Sequence, residues 1–510
     1  MFLRVESYKR GIILSTVFNV FNKGLVFANS LVVAYFFGTQ LNTDIYFFVY
    51  ACLILFVGFI SGLNSTVLVP ESMRIRKQEN ERAAMEFLNF FLYGYLLLTM
   101  LLVLIFFMDP VSIFAHLSKF THPDLARNAS ILYLSLPLFI LMALTTMLTD
   151  VLASYKYFTI SMIVGIFNGL FSILFIFFFH RSLGILSILT GLLSSYFINL
   201  LMLLYLMKRQ LNWNFSSVKG KIGKRIWKNI GFAQAGNITT TLYSYAPMYL
   251  FSGVNVGTIT ALSFAQQIAG MPTTLITNQV STVAGIKLNE LHALGEAKKM
   301  DEIFFTSTDF LLFILMPMSV LLFLFPREVV LLLFKRGAFD LQSVTRCALF
   351  LKYLGLLLPM LAINTLGARL FMATHKVKHA FWYQIVLNLF LVVLIYTGVK
   401  LFDVYGYLWA MLFIYLLSTL LQYYLFRAWF RNIDYARVLV SFFKLLVLNA
   451  VIGSIVHFLV RFLIPGQGAI VTLLFGSFAY LIILLLTNSL FRLNSELLDL
   501  THRILRLRLN

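Results

Sequence analysis

Lys23 is the side chain best placed to do chemistry in this 510-residue chain. It stands about 12 residues into an apolar run from Gly11 to Phe37, roughly 18 Å along a helix rising 1.5 Å per residue. A cation that deep calls for a water-filled cavity, an anionic partner or an anionic ligand; the plainer alternative is an internal polar contact. Lys352 and Arg369 sit nearer opposite ends of a later apolar run, where snorkelling to the interface explains each as well as ligand binding does. Lys444 is placed to snorkel.

Carboxylates are scarcer. Asp44 opens the second apolar run, where an acid would cap the helix and favour its positive dipole end. Asp150 and Asp309 fall near run boundaries, and the sequence places no acid in the middle of a run. Uncharged polar residues gather in three runs: Asn22, Asn29 and Ser30 in the first; Gln234, Asn237 and Thr239 to Thr241 in the seventh; Gln266, Gln267, Thr273, Thr274, Thr277, Asn278 and Gln279 in the eighth. Such residues join helices by hydrogen bonds or line a polar cavity. Pro247 and Pro272, also in the seventh and eighth runs, remove backbone hydrogen bonds and permit kinks that could let one half bend.

Enzyme machinery is missing. The chain has no G-x-x-x-x-G-K-[ST], H-E-x-x-H, EF-hand loop, C-x-x-C or G-x-S-x-G sequence. Its eight histidines are scattered, and Cys52 and Cys347 form neither a disulfide framework nor a metal-ligand spacing. No cofactor or metal is expected, and transport is the default function.

The elements that carry these residues are membrane helices. Mean hydropathy is +0.88, and 60% of residues are hydrophobic against 12% charged. We expect fourteen apolar segments: 11–37, 43–69, 86–108, 128–152, 157–179, 184–207, 226–251, 258–287, 306–325, 345–372, 378–400, 405–426, 438–462 and 468–490. Each approaches or exceeds the roughly 20 residues that span a bilayer core. The fold class is an all-α integral membrane protein. The first segment is too long for a signal-peptide core and is read as retained. The weakest break lies at Ser252–Gly257.

The net charge of +20 is spread over loops rather than gathered in a nucleic-acid-binding domain. With the N-terminus in the cytoplasm, inner loops hold roughly three times the Lys and Arg of outer loops, which puts both termini inside. The longest inner connection, 208–228, separates six helices (1–207) from the next six (229–426). An even number of spans per half suggests parallel pseudo-repeats. Helices thirteen and fourteen (427–490) stand outside that repeat, and 491–510 reads as an amphipathic cytoplasmic tail.

Several segments resemble a known family. Phe37-Gly-Thr-Gln-Leu-Asn-Thr-Asp44 resembles the F-G-x-x-x-x-T-D motif of MurJ (MviN-like) lipid II flippases. Leu333-Phe-Lys-Arg-Gly-Ala-Phe339, with Arg336 and Gly337 at its centre, is similar to their L-F-x-R-G-A-F segment, and Arg369-Leu-Phe371 to the end of their tenth helix. That family belongs to the multidrug/oligosaccharidyl-lipid/polysaccharide exporter superfamily. Its cavity arginines are replaced here. Lys23 takes the place of the first, Asn29 and Ser30 stand for an Arg-Asp pair, Phe56 and Val57 for a basic pair, and Gln267 for an arginine within Phe264-Ala-Gln-Gln-Ile268.

The resemblance implies a flippase in the bacterial inner membrane. It would carry a polyprenyl-pyrophosphate-linked saccharide, such as lipid II, outward by alternating access between two lobes, with the lipid tail in a groove of the last two helices. Lys23 and Arg369 would attract the anionic head, while Asn29, Ser30, Gln266 and Gln267 would bond sugar or phosphate. Asp44, Pro247, Pro272, Arg336 and Gly337 would shape or gate the path. Partners are the lipid-linked saccharide, membrane lipids and cell-envelope synthesis proteins. Two other readings remain open: a small-molecule antiporter of the same superfamily, which calls for an acidic cavity, and a non-transporting scaffold for envelope synthesis.

Overall fold

The computed structural model describes residues 8–218, 222–430 and 432–491. The amphipathic tail expected over 491–510 lies outside them, Phe491 excepted. Among the described residues every regular element is helical. In chain order they are α1 (Tyr8–Phe37), α2 (Leu41–Leu63), α3 (Val69–Gln78), α4 (Glu81–Met108), α5 (Pro110–Leu117), α6 (His122–Arg127), α7 (Ala129–Ser154), α8 (Phe158–Leu183), α9 (Leu186–Leu211) and α10 (Lys224–Phe251). There follow α11 (Thr258–Pro272), α12 (Asn278–Ala293), α13 (Ala297–Leu324), α14 (Pro326–Phe334), α15 (Leu341–Gly355), α16 (Leu358–Ala373), α17 (Val377–Trp429), α18 (Tyr435–Leu463) and α19 (Ala469–Phe491).

Ten of the described helical spans are long and apolar enough to cross a membrane, and the bent pair α15–α16 makes an eleventh. α10 and the α11–α12 span fall short because they carry the polar residues noted above. Every expected segment coincides with helix, which is compatible with fourteen spans. α17 is continuous over the eleventh and twelfth expected segments, but Phe402 and Asp403 leave helical geometry inside it. There Gly398 and Gly406 come so close that a Cβ on either would strike the other's backbone. Only glycine permits that approach.

Two spans are interrupted by a π-helical turn. Asn64–Leu68 separates α2 from α3, and Thr273–Thr277, directly after Pro272, separates α11 from α12. The i+5 pattern widens the turn and is frequent at functional positions. The weak break at Ser252–Gly257 is a real one, with α10 ending at Phe251 and α11 starting at Thr258.

The chain clusters into two compact units: 1–260 with 336–339, and 261–335 with 340–510. In the first, a core of Ile75, Phe87, Leu88, Leu152, Leu203 and Met207 joins α3, α4, α7 and α9. Trp213, from the basic connection after α9, is buried in that core, and its indole donates to Asn89 Oδ1 at 2.8 Å. Asn89 Nδ2 in turn donates to the carbonyls of Asn214 and Ser217, at 2.7 and 2.8 Å. The connection is therefore pinned on α4. In the second unit, α13 packs on α18 and α12 on α16.

Candidate functional site

α1 meets α8 through one face. Asn22 lies against Gly165 and Leu25 against Gly169, while Asn29 Oδ1 accepts from Ser172 Oγ at 2.9 Å. Phe36 meets Phe177 edge to face and lies against the His180 ring. These positions recur every three or four residues, the spacing of one helix face. Lys23 follows Asn22 by one residue, hence by about 100°, and is exposed off the α8-facing side, as is Val20. It stands midway along α1, and the ion pairs among the described residues do not include it. A Cβ at neighbouring Gly24 would meet nothing within 4 Å.

Asn29 and Ser30 of α1 face inward. Ser30 is buried, and its hydroxyl donates to the Val26 carbonyl at 3.0 Å. Asn29 is held by α8. Helix packing thus occupies Asn29 and Ser30, while Lys23 stays available. Asn22 Oδ1 is buried without a hydrogen-bond partner among the described residues.

In the second unit, Gln266 is exposed and Gln267 half-buried on α11. The aliphatic stem of Arg369 on α16 packs over Gly285 of α12, where a Cβ would stand 3.2 Å from its Cδ. Glycine there leaves room for the arginine stem. Pro247 is buried within α10, and Pro272 closes α11 at its π-helical break.

Asp44 requires a correction. The N-cap position of α2 is Gln40, and Asp44 lies inside the first turn. Its buried carboxylate accepts instead from the Gly257 and Thr260 backbone N–H groups, at 2.6 and 2.8 Å, and from Thr260 Oγ1 at 2.6 Å. Asp44 caps the beginning of α11, more than two hundred residues away in sequence. An acid at the start of one helix looks the same in sequence whichever helix it caps.

Two of the sequence motifs meet. Ala338 N donates to the Tyr35 carbonyl at 2.8 Å, beside Gly38. Gly337 has φ +58° and Gly38 φ +59°, a region where L-residues are strained. A Cβ on Gly337 would collide with the Tyr35 carbonyl, and one on Gly38 with the Ala338 carbonyl. Arg336 is exposed at the edge of this junction and Phe339 is buried. Next in sequence, Asp340 caps α15, accepting from Ser343 N at 2.8 Å and Ser343 Oγ at 2.6 Å. Those bonds hold its carboxyl below the usual carboxylate range.

The first unit also contains a cavity of about 450 Å³ between α2, α4, α5, α7 and α10, walled by Phe56, Phe59, Leu102, Phe106, Phe139 and Leu242. Its Thr99 and Ser135 hydroxyls bond their own helix carbonyls at 2.7 and 2.6 Å. With those two hydroxyls spent in this way and walls that are almost wholly apolar, the cavity suits hydrocarbon rather than phosphate or sugar.

The family model described as "Lipid II flippase MurJ" matches residues 33–479. This chain belongs to the lipid II flippase MurJ family. It is 24% identical to the probable lipid II flippase MurJ of Borreliella burgdorferi over 364 residues, covering 69% of this chain and 71% of the relative. The corresponding protein of Buchnera aphidicola subsp. Acyrthosiphon pisum is 25% identical over 348 residues, covering 64% and 66%. Among solved structures, a lipid II flippase MurJ in an inward closed conformation superposes with TM-score 0.75 at 18% identity, over 94% of this chain and 99% of that one. An inward-facing multidrug resistance MATE family transporter of the MOP superfamily gives TM-score 0.64 at 12% identity, over 84% and 95%. Membership places the chain among multi-pass membrane transporters rather than enzymes.

Proposed function

We propose that this chain carries a polyprenyl-pyrophosphate-linked saccharide of the lipid II class from the inner to the outer leaflet of a bacterial inner membrane. The family match supports the substrate class. The observation that carries the site is Lys23: a mid-helix cation, exposed, with no ion pair among the described residues. A cation in a membrane span is kept where it meets water or an anionic group, and the pyrophosphate of such a lipid is anionic. In this reading both termini are cytoplasmic, segments 1–207 and 229–426 act as two lobes in alternating access, and 427–490 guides the lipid tail. Arg369, Gln266 and Gln267 supply further contacts to the head.

Replacement of arginine by Lys23 and Gln267 favours a broader head-group tolerance than a bidentate guanidinium would give, since an ammonium binds as a point charge. The test is flipping of fluorescent lipid II in proteoliposomes, read by quenching from outside. Lys23→Ala should slow flipping at least about tenfold, the equivalent of roughly 1.4 kcal/mol, while Lys23→Arg retains it. Wild-type protein that leaves lipid II and other polyprenyl-pyrophosphate saccharides in place would defeat the proposal. That result would favour a scaffold.

A further inference from the structure

Asp150 is a half-buried acid that the proposed transport cycle does not use. In sequence it falls one turn before the end of α7, close to a membrane boundary. In the structure its carboxylate is tied directly to the second span and, through Asn64, to α4. Asn64 Nδ2 donates to Asp150 Oδ2 at 2.9 Å, and Ser61 Oγ donates to the same oxygen at 3.3 Å. Tyr95 Oη donates to Asn64 Oδ1 at 3.0 Å. Asn64 and Tyr95 are both buried. Tyr95 lies about 21 Å along α4 from Glu81, counting 1.5 Å per residue, so it is at the middle of that helix. The three partners are all neutral.

No ion pair among the described residues includes Asp150. The ionisable groups around it are few. α4 presents Tyr95. α3 presents Arg76, which is committed one turn further on, with its guanidinium 3.3 Å from Ser154 Oγ and 3.7 Å from the Tyr155 ring centroid. Tyr157 is buried at the start of α8, and Lys208 and Arg209 of α9 are exposed in its last turn.

The network accepts either charge state. With the carboxylate ionised, Asn64 offers it the amide N–H₂ and keeps its carbonyl for the Tyr95 hydroxyl. With the carboxyl protonated, Asp150 becomes a donor. A half-turn of the Asn64 amide then offers it the carbonyl, and Tyr95 Oη accepts from the amide, because a phenol is both donor and acceptor. A metal ion would find these positions filled by donors, whereas a proton needs no room. Asn64 is also the first residue of the π-helical turn between α2 and α3. In that turn the Ser65 and Thr66 hydroxyls donate to the Gly62 carbonyl at 3.2 and 2.7 Å.

We propose that Asp150 is a proton-binding site whose charge state is read by the π-helical break of the second span. It is a different group from the cation that meets the lipid head, so it stands or falls apart from the identity of the substrate.

The test uses the full chain in lipid nanodiscs and dicyclohexylcarbodiimide, an apolar reagent that adds to protonated carboxyls, with peptide mass spectrometry as the readout. Asp150 should acquire the adduct, increasingly as pH falls, along a titration curve with a midpoint. Asn64→Leu removes a hydrogen bond to the charged form and should raise that midpoint by about half a unit or more, a threefold gain in proton affinity. Ser61→Ala should move it the same way by less, and serves if Asn64→Leu does not fold. No adduct on Asp150 at any pH overturns the assignment, as does a midpoint that neither variant moves. Protection by sodium but not potassium at constant pH would replace the proton with a metal ion and likewise overturn it. The labelling needs no lipid-linked saccharide, so its failure is distinguishable from failure of the flippase reading.

Discussion

At the residue scale, two charged side chains singled out by the sequence have opposite environments. Lys23 is exposed on α1, and Asp44 is buried under three donors. Deleting the Asp44 carboxylate leaves two backbone N–H groups and a hydroxyl without partners in a buried place. The loss of a cap and of satisfied donors together should cost about 2–3 kcal/mol. Asp44→Ala is therefore expected to lower the melting temperature of the detergent-solubilised protein clearly, with Asp44→Asn in between; an unchanged melting curve would remove Asp44 from the framework. Lys23 could be found in the sequence because a lysine within an apolar run is conspicuous. The inward turn of Asn29 and Ser30 could not. Which side of α1 meets α8 is decided by Gly165 and Gly169, and nothing within α1 names its partner helix.

At the element scale, helices were legible and their ends were less so. Apolar runs longer than a bilayer is thick announce themselves, and Pro, Gly and charged clusters mark most boundaries. The π-helical turns were hidden, because a five-residue widening changes no composition. Also hidden was the docking of residues 213–217 on α4 by Asn89, a long-range choice of one amide. Two element-scale expectations follow. Gly337→Ala places a methyl against the Tyr35 carbonyl at a positive φ. It should separate Ala338 from Tyr35 and cost about 1–2 kcal/mol from backbone conformation alone, more with the collision. Faster hydrogen exchange at Ala338 N would report it, and unaltered exchange would contradict it.

The second element-scale expectation concerns the Asp340 cap of α15. Its carboxyl is held low by Ser343, so the ionised form is the one stabilised by folding. The contribution is complete above the unfolded carboxylate pKa, near 4, and fades as pH falls through the lower folded value. Asp340→Ala should lose about 1 kcal/mol at neutral pH, and the gap between the two melting temperatures should close under acid. A gap that persists at the lowest pH tolerated by the fold would mean that the carboxylate charge is not what matters.

At the scale of the whole molecule, charge and energy source belong together. The chain carries +20, and in the proposed orientation the side richer in Lys and Arg is cytoplasmic. No nucleotide-binding motif is present in the sequence to supply energy from ATP. A unit charge crossing the full membrane field gains about 2.3 kcal/mol per 100 mV. A dianionic head leaving a negative interior gains roughly twice that, enough to bias a cycle outward by more than a thousandfold at that potential. Lys23 modifies the sum. If the ammonium travelled with the head, the net charge moved would fall by one; fixed to α1, it reorients only as far as its helix does, and the lipid's own charge dominates. Flipping in proteoliposomes should therefore accelerate under an imposed inside-negative potential and slow when valinomycin and potassium collapse it. Lys23→Ala should lower the rate at every potential without abolishing that dependence. A wild-type rate indifferent to potential would show that some other gradient drives the cycle. In that case the pH dependence of wild type against Asp150→Asn becomes the measurement that separates proton coupling from passive exchange.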